Sequence, residues 1–174
     1  MNRKDIETRA TEILRDHGLL DIPVDPLRVA KSLGIKVMNA VFSEENKSGA
    51  IVKRGDIFSI YVNANDSPAR KRFTIAHEIG HKLLHMDSGT SIEFVDTEDN
   101  FRTTDAADQI TWTNERQKEW EANAFASALL MSEALVRAEW EQTPDPEIMT
   151  AKFQVSLTAM VVRLNQLRLL EGFP

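Results

Sequence analysis

The strongest constraint in this sequence is the stretch R-F-T-I-A-H-E-I-G-H-K-L-L-H at residues 72–85. Within it, His77 and His81 are separated by Glu-Ile-Gly. Four residues turn an α-helix through about 400°, so both imidazoles lie on one face about 6 Å apart. At that spacing the two rings can reach one metal ion at about 2.0–2.1 Å. The stretch therefore predicts a helix that carries a metal-binding histidine pair.

Glu78 lies beside this pair, too far round the helix to be a third ligand. Its carboxylate can instead hydrogen-bond a water molecule near the ion and accept the proton of that water. A surface helix that carries two histidines and a glutamate by chance is the alternative. The flanking apolar residues favour a buried helix, in which such polar groups need a partner. These flanking residues are Ala76, Ile79, Leu83 and Leu84.

Composition limits the remaining choices. A chain of 174 residues with 42% apolar residues is expected to form one domain, with at most a small appendage. Cysteine is absent, so a zinc ion would have to be held by histidine and carboxylate. The net charge of −6 argues against extensive binding to phosphate backbones. The N-terminus has no apolar signal segment and no apolar run is long enough for a membrane span, so we expect a cytoplasmic protein.

Two helices and a strand are predicted before the metal helix. Residues 4–17 have helical apolar spacing, and a second helix follows the N-cap Asp25 and ends at Gly34. A short strand is expected at 35–38 and a polar loop at 41–48. The inner face of the second helix is expected to comprise Leu27, Ala30 and Leu33.

A β-hairpin is predicted directly before the metal helix, with strands at 49–53 and 57–62 around a glycine turn. An exposed edge strand of this hairpin could hold an extended peptide by main-chain pairing, or the hairpin could be scaffold only. The metal helix is expected to span 68–86. Residues 87–113 are acidic and indicate a solvated loop, or alternatively a flap over the site. A calcium loop is excluded because the segment that begins at Asp96 lacks the required glycine.

The second functional helix is predicted at 114–131, where Glu119, Glu121 and Asn123 lie among apolar residues. A catalytic zinc held by two histidines usually takes a carboxylate as its third protein ligand. Glu119 and Asn123 are four residues apart and share a face, whereas Glu121 lies about 200° round from Glu119. Glu121 stays an alternative ligand, but Glu119 is preferred. Asn123 could then accept the free N–H of a ligating histidine.

The C-terminal part predicts a short helix to Trp140, a break at 143–146, and helices at 146–153 and 157–170. The last two helices, across a tight turn, resemble a helix-turn-helix. Arg163 and Arg168 could contact phosphates, but the apolar spacing of the last helix favours packing against the body of the protein. That apolar set comprises Met160, Val161, Leu164 and Leu167.

Together these residues resemble the ImmA/IrrE family of metallopeptidases. The resemblance rests on R-x-R-F-T-I-A-H-E-I-G-H-K-L-L-H at 70–85, E-W-E-A-N-A-F-A-S-A-L-L-M-S at 119–132, and the weaker A-K-F-Q-V-S-L-T-A-M-V-V-R-L at 151–164. Family members often end the second motif in proline, where this chain has Ser132; the change affects only the helix end. The E-x-x-A-[DN] pattern of the second motif supports Glu119 as third ligand with Asn123 behind the ligands.

The resemblance implies an α+β fold, in which a small antiparallel or mixed sheet packs on a zincin-type helical core. It also implies a metallopeptidase domain at 1–132 and a C-terminal helical extension, similar to a helix-turn-helix, at 133–174.

The implied activity is that of a zinc-dependent endopeptidase that cuts a partner protein with Glu78 as the base. The expected partner is a helix-turn-helix (Xre-type) repressor or antitoxin, and Zn²⁺ is the expected ion, with Mn²⁺ as another possibility. The alternative is a toxin or metal-binding interaction module that an adjacent helix-turn-helix regulator neutralises. Direct DNA binding and membrane association are not expected.

Peptide hydrolysis also needs a donor for the developing oxyanion. His85, Tyr61 and Arg72 are the candidates, and the sequence does not rank them. His85 follows His81 by four residues and so lies one turn further along the helix, where a structural role is favoured.

Overall fold

The computed structural model describes residues 1–43, 47–86, 94–97 and 114–170, which contain seven helices and one four-stranded sheet. The predicted α+β class is confirmed. The helices are α1 (Arg3–Asp16), α2 (Pro26–Ser32), α3 (Pro68–His85), α4 (Asn114–Leu130), α5 (Glu133–Gln142), α6 (Pro146–Phe153) and α7 (Leu157–Gln166). The strands are β1 (Lys36–Ala40), β2 (Lys47–Arg54), β3 (Ile57–Asn63) and β4 (Phe94–Thr97).

The sheet is mixed and has the strand order β1-β3-β2-β4. The β2–β3 hairpin, predicted from its glycine turn, is antiparallel, and Gly55 adopts the left-handed φ of 59° at the turn. β1 runs parallel to β3, and β4 runs antiparallel to β2. Within the described residues the hairpin strands are therefore internal. Of the two roles left open for the hairpin, that of an exposed edge strand is wrong, because β1 and β4 cover its two sides.

Strand β2 is longer than its sequence suggested. It begins at Lys47, inside the predicted loop at 41–48, because the Asn63 side-chain amide donates to the Lys47 carbonyl at 2.9 Å and Lys47 pairs with Thr97. Residues 94–97, predicted as loop, form strand β4. The other residues of 87–113, and with them the flap and most of the rejected calcium loop, lie outside the described residues.

Side-chain caps fix the starts of α2 and α3. The Ser67 hydroxyl accepts from the Arg70 N–H at 3.3 Å at the start of α3, and Asp25 accepts from the Leu27 N–H at 2.9 Å at the start of α2. The predicted inner face of α2 is wrong at Leu27, which is 51% exposed, whereas Val29 is fully buried.

Helix α3 packs against both the sheet and α4, and α1 packs against α4. On the sheet, side chains alternate between faces, so residues paired directly across the hairpin share a face. The face that includes Gly49, Ile51, Ile60 and Val62 is turned towards α3. This arrangement places the middle of α3 at the centre of the molecule.

The C-terminal helices share the core with the rest of the chain. The α6–α7 turn is tight, with Gln154 in the left-handed region and the Ser156 hydroxyl accepting from the Ala159 N–H. Arg163 is not free to contact phosphates, because it is 2% exposed and donates to the Met131 carbonyl at 2.8 Å and to Glu7. The domain boundary at residue 132 stays a prediction.

Among the described helices, none combines the length and apolar character that crossing a lipid bilayer requires.

Candidate metal centre

The middle of α3 is its most buried part. Residues 74–81 are all buried, and His77, Glu78 and His81 are at most 1% exposed. The sheet covers one side of this segment and α4 covers the other. Buried ionisable side chains are costly unless they are paired or bind a metal. The neighbours of these three residues therefore define the chemistry of the site.

Three side chains converge on one point between α3 and α4. The Nε2 atoms of His77 and His81 lie 2.8 Å apart. The two carboxylate oxygens of Glu119 lie 3.3 Å from His77 Nε2 and 3.2 Å from His81 Nε2. All three ligand atoms fall within 4.8 Å of one another. The structure thus brings together the three residues that the sequence proposed as metal ligands.

This donor set fits a divalent metal ion. A tetrahedral ion held at about 2.0–2.1 Å sets its ligand atoms about 3.3 Å apart. Each histidine Nε2 lies near that separation from one oxygen of Glu119, His77 from Oε2 and His81 from Oε1. The two histidine nitrogens would need to move apart by about half an ångström. Two imidazoles and one carboxylate form the ligand set that catalytic zinc sites use, with a fourth position left for water or substrate.

The protonation states of these groups also suit metal binding. Burial lowers the pKa of His81 to about 4, although the nearby Glu119 opposes this shift. His81 is therefore neutral at pH 7, the form that binds metal. Burial alone would raise the pKa of Glu119, but the neighbouring His77 and His81 outweigh this effect and lower the pKa to about 2. The glutamate is therefore charged.

Asn123 lies one helical turn after Glu119 and contacts His77 on the ring nitrogen that faces away from His81 and Glu119. Its side-chain oxygen lies 2.9 Å from His77 Nδ1. Because that oxygen can only accept, Nδ1 carries the proton, and the lone pair of His77 Nε2 is turned towards His81 and Glu119.

Glu121 is directed away from the histidine pair. Its carboxylate accepts from the Met1 α-amino group and from Gln117 at 3.1 Å, and it lies 3.5 Å from His85 Nε2. Burial would raise its pKa, but the Met1 amino group outweighs this effect and lowers the pKa. As the helical spacing required, Glu119 and Glu121 do not face the same point, and Glu119 is the one beside His77 and His81.

His85 connects α3 to α4 one turn beyond His77 and His81. Its Nε2 lies 3.2 Å from the Lys118 carbonyl oxygen, and its ring centre is 5.7 Å from that of His81. Burial lowers the pKa of His85, with Glu121 opposing the shift. These contacts suit the structural role that the sequence favoured.

Arg72 and Tyr61, the other two candidates for an oxyanion donor, are directed elsewhere. Arg72 donates to the carbonyls of Val24 at 2.6 Å and Gln154 at 3.1 Å, and burial lowers its pKa. Tyr61 pairs with Ala50, on the sheet face opposite to the one that faces α3. Of the three candidates, His85 alone adjoins the metal-ligand candidates.

Sequence reasoning missed two close contacts of the metal helix. Gly49 lies against Thr74 and Glu78, and Gly80 lies against Ala122 and Phe125 of α4. Both glycines are isolated, Gly49 inside a strand pattern and Gly80 inside a helix pattern. Such a glycine often marks a place where another segment of backbone approaches closely, and this signal could have indicated the contacts.

A small mixed sheet packed on a buried H-E-x-x-H helix, with a carboxylate supplied by α4, makes this an α+β fold with a candidate metal site at its centre. The sequence matches the profile of the IrrE N-terminal-like domain, Peptidase_M78, over residues 30–165, and the chain belongs to this family. The match spans both α3 and α4 and confirms the family predicted from the sequence motifs.

Solved structures add a fold-level likeness. A Mycobacterium tuberculosis transcriptional regulator superposes with a TM-score of 0.62 at 17% identity, over 92% of this chain and 46% of the regulator. At this identity the likeness concerns the fold alone, and the chain spans less than half of that protein. No curated protein matches the chain significantly.

Proposed function

We propose that this chain is a zinc-dependent endopeptidase that cuts a helix-turn-helix (Xre-type) repressor or antitoxin. The observation that carries the proposal is the convergence of His77, His81 and Glu119 in the middle of a buried helix that also holds Glu78. Membership of a peptidase family supports the reaction class.

Each residue of the site has a distinct task in this proposal. His77, His81 and Glu119 would hold the ion, and Asn123 would keep His77 in the tautomer that binds it. When bound, the ion supplies polarisation of the scissile carbonyl and lowers the pKa of water. Glu78 accepts the proton of the attacking water and then delivers it to the amine nitrogen of the leaving group. Burial of Glu78 keeps bulk water away from this proton transfer.

The sheet offers a place for an extended substrate. Among the described residues, β4 is the outer strand on the side of β2. It pairs with β2 at Gly49, where an added Cβ atom would lie 3.3 Å from Glu78 Oε1. A peptide added to β4 as a further strand would be held by main-chain hydrogen bonds. We therefore place the substrate along β4 rather than along the hairpin.

The choice of partner comes from the family resemblance, in which such domains occur beside helix-turn-helix regulators. The main alternative is a toxin or interaction module that keeps the metal fold and acts by binding. A pure binding module has no need of Glu78, whereas a peptidase fails without it. Glu78 therefore separates the two functions.

The test is to incubate the purified chain with the helix-turn-helix regulator encoded beside it and to record intact masses. Parallel samples contain Zn²⁺, a chelator, Glu78→Gln, and Glu121→Gln as the matched control. We expect one cut that requires metal and Glu78 and persists in Glu121→Gln, because Glu121 faces away from the histidine pair. A stable complex without any cut, formed equally by Glu78→Gln, would instead establish the binding function.

A further inference from the structure

We propose that Gly49 and Gly80 fix two separate parts of the site, the first setting the position of Glu78 and the second setting the distance between α3 and α4. The role of Glu78 in this inference rests on the proposed peptidase function. Gly49 of β2 lies against one side of α3, and Gly80 lies on the opposite side of α3 against α4, so their effects can be measured separately.

Gly49 allows β2 to lie directly against the sheet-facing side of α3. A Cβ atom at this position would overlap with Thr74 Cγ2, and it would lie 3.0 Å from the Tyr61 carbonyl oxygen and 3.3 Å from Glu78 Oε1. Thr74 and Glu78 are one helical turn apart, so together they form the surface on which Gly49 rests. Any side chain at residue 49 must displace Thr74, Glu78 or the strand.

The strand is not free to move away, because its first residues are fixed on both sides. Arg70 Nε donates to the Ser48 hydroxyl at 2.9 Å, which ties β2 to α3. Asn63 donates to the Lys47 carbonyl at 2.9 Å, which ties β2 to the end of β3. The β2–β4 register also shifts between Lys47 and Gly49, as in a β-bulge, which orients the strand locally. Glu78 therefore lies against a strand, β2, whose position is fixed.

Gly80, on the opposite side of α3, allows α4 to approach α3 closely. A Cβ atom there would lie 3.2 Å from Ala122 Cα and 3.2 Å from Phe125 Cβ. Both are fully buried residues of α4, and they lie on either side of Asn123 in sequence. A methyl group at residue 80 would push α4 outward by a few tenths of an ångström, and Glu119 with it.

The two substitutions therefore have different expected effects. Gly49→Ala displaces the base and leaves the contacts of His77 and His81 with Glu119 in place. Gly80→Ala moves Glu119 away from the histidines and leaves the base against β2. A glycine needed only for general packing would affect both properties together.

The experiment measures two quantities for Gly49→Ala and Gly80→Ala. Zn²⁺ affinity is measured by competition with a chromophoric chelator, and kcat and KM are measured on the regulator that the wild-type protein cuts. For Gly49→Ala we expect kcat to fall by about tenfold or more, since small misplacement of a catalytic group is costly, with Zn²⁺ affinity within about twofold. For Gly80→Ala we expect Zn²⁺ affinity to fall about tenfold.

A second substitution tests the steric cause. Thr74→Ser removes the methyl group that a Cβ at residue 49 would strike, and it keeps the hydroxyl. The pair Gly49→Ala/Thr74→Ser should regain most of the lost kcat, whereas Thr74→Ser alone should stay close to wild type. If Gly49→Ala does not fold, the double variant is measured in its place. A double variant that also fails to fold, or that folds without recovering kcat, would overturn the proposal.

The inference can fail separately from the proposed function. If the wild-type protein cuts nothing, the peptidase proposal fails, but crystal structures of the Zn²⁺-loaded variants still test the spacing. They should show the Glu78 carboxylate displaced in Gly49→Ala and Glu119 displaced in Gly80→Ala. An unmoved Glu78 in Gly49→Ala, or equal losses of Zn²⁺ affinity in both variants, contradicts the inference.

Discussion

The α3–α4 junction and the α6–α7 pair both carry sequence patterns that suggest function, and both bury charged side chains. At the α3–α4 junction, His77, His81 and Glu119 direct their polar atoms towards one another. In α7, Arg163 is equally buried, but it donates to the Met131 carbonyl and to Glu7. A buried charge thus indicates a functional site where its neighbours are further metal-binding groups. Where its neighbours are main-chain oxygens and one counter-charge, it indicates a structural link.

The largest effect on activity is expected from removing the base, Glu78, at the α3–α4 junction. Glu78→Gln is expected to lower kcat by about a thousandfold, because general-base catalysis contributes about 10²–10⁴. Zn²⁺ affinity should stay close to that of wild type, since Glu78 is not among the three grouped ligands. Single-turnover cleavage and chelator competition measure the two quantities. Cleavage at the wild-type rate would remove Glu78 from the mechanism.

Removing one ligand should affect metal binding more than any other property. His81→Ala leaves two of the three grouped ligands, so Zn²⁺ affinity should fall by at least about a hundredfold. Isothermal titration calorimetry with Zn²⁺ provides the measurement, and His17→Ala, on a different part of the chain, is the control. Unchanged affinity in His81→Ala would show that the cluster is not the metal site.

The residue behind the ligands should have a smaller effect. Asn123→Ala removes the oxygen that contacts His77 Nδ1, and such partners typically contribute about tenfold to a hundredfold in metal affinity. Asn123→Asp keeps an acceptor and should retain binding. If alanine and aspartate behave alike, the His77–Asn123 contact does not orient the ring.

Substitution in the C-terminal pair should leave the metal site unchanged and reduce stability. Arg163→Met leaves Glu7 without its buried partner, so the free energy of unfolding should fall by about 2–4 kcal/mol. Chemical denaturation measures this loss, and Zn²⁺ affinity should change by less than about twofold. A variant of wild-type stability that binds metal poorly would reverse the contrast between the two regions.

Local signals were sufficient for much of the fold and of the candidate site. The start of α3 follows from the Ser67 cap, and helical spacing alone placed Glu119 and Asn123 on one face, with Glu121 elsewhere. These features depend on residues within a few positions of one another, where periodicity and capping determine the outcome.

Periodicity and capping do not predict which distant segments pair. The parallel β1–β3 pair and the addition of β4 to the sheet join segments whose own sequences do not specify a partner. The local sequence of α7 predicts an exposed side chain at Arg163, because the partner that buries it, Glu7, lies 156 residues away. Likewise, the Arg72 hydrogen bonds to Val24 and Gln154 could not be read from the α3 sequence.

The metal-ligand candidates come from two helices that are far apart in sequence, with His77 and His81 on α3 and Glu119 on α4. An ion held by all three would join the two helices only in the folded chain, so metal binding and folding are thermodynamically linked. Free Zn²⁺ at a hundred times its dissociation constant would stabilise the fold by about 2.7 kcal/mol. The supply of metal would then set how long the folded protein survives proteolysis as well as whether it is active.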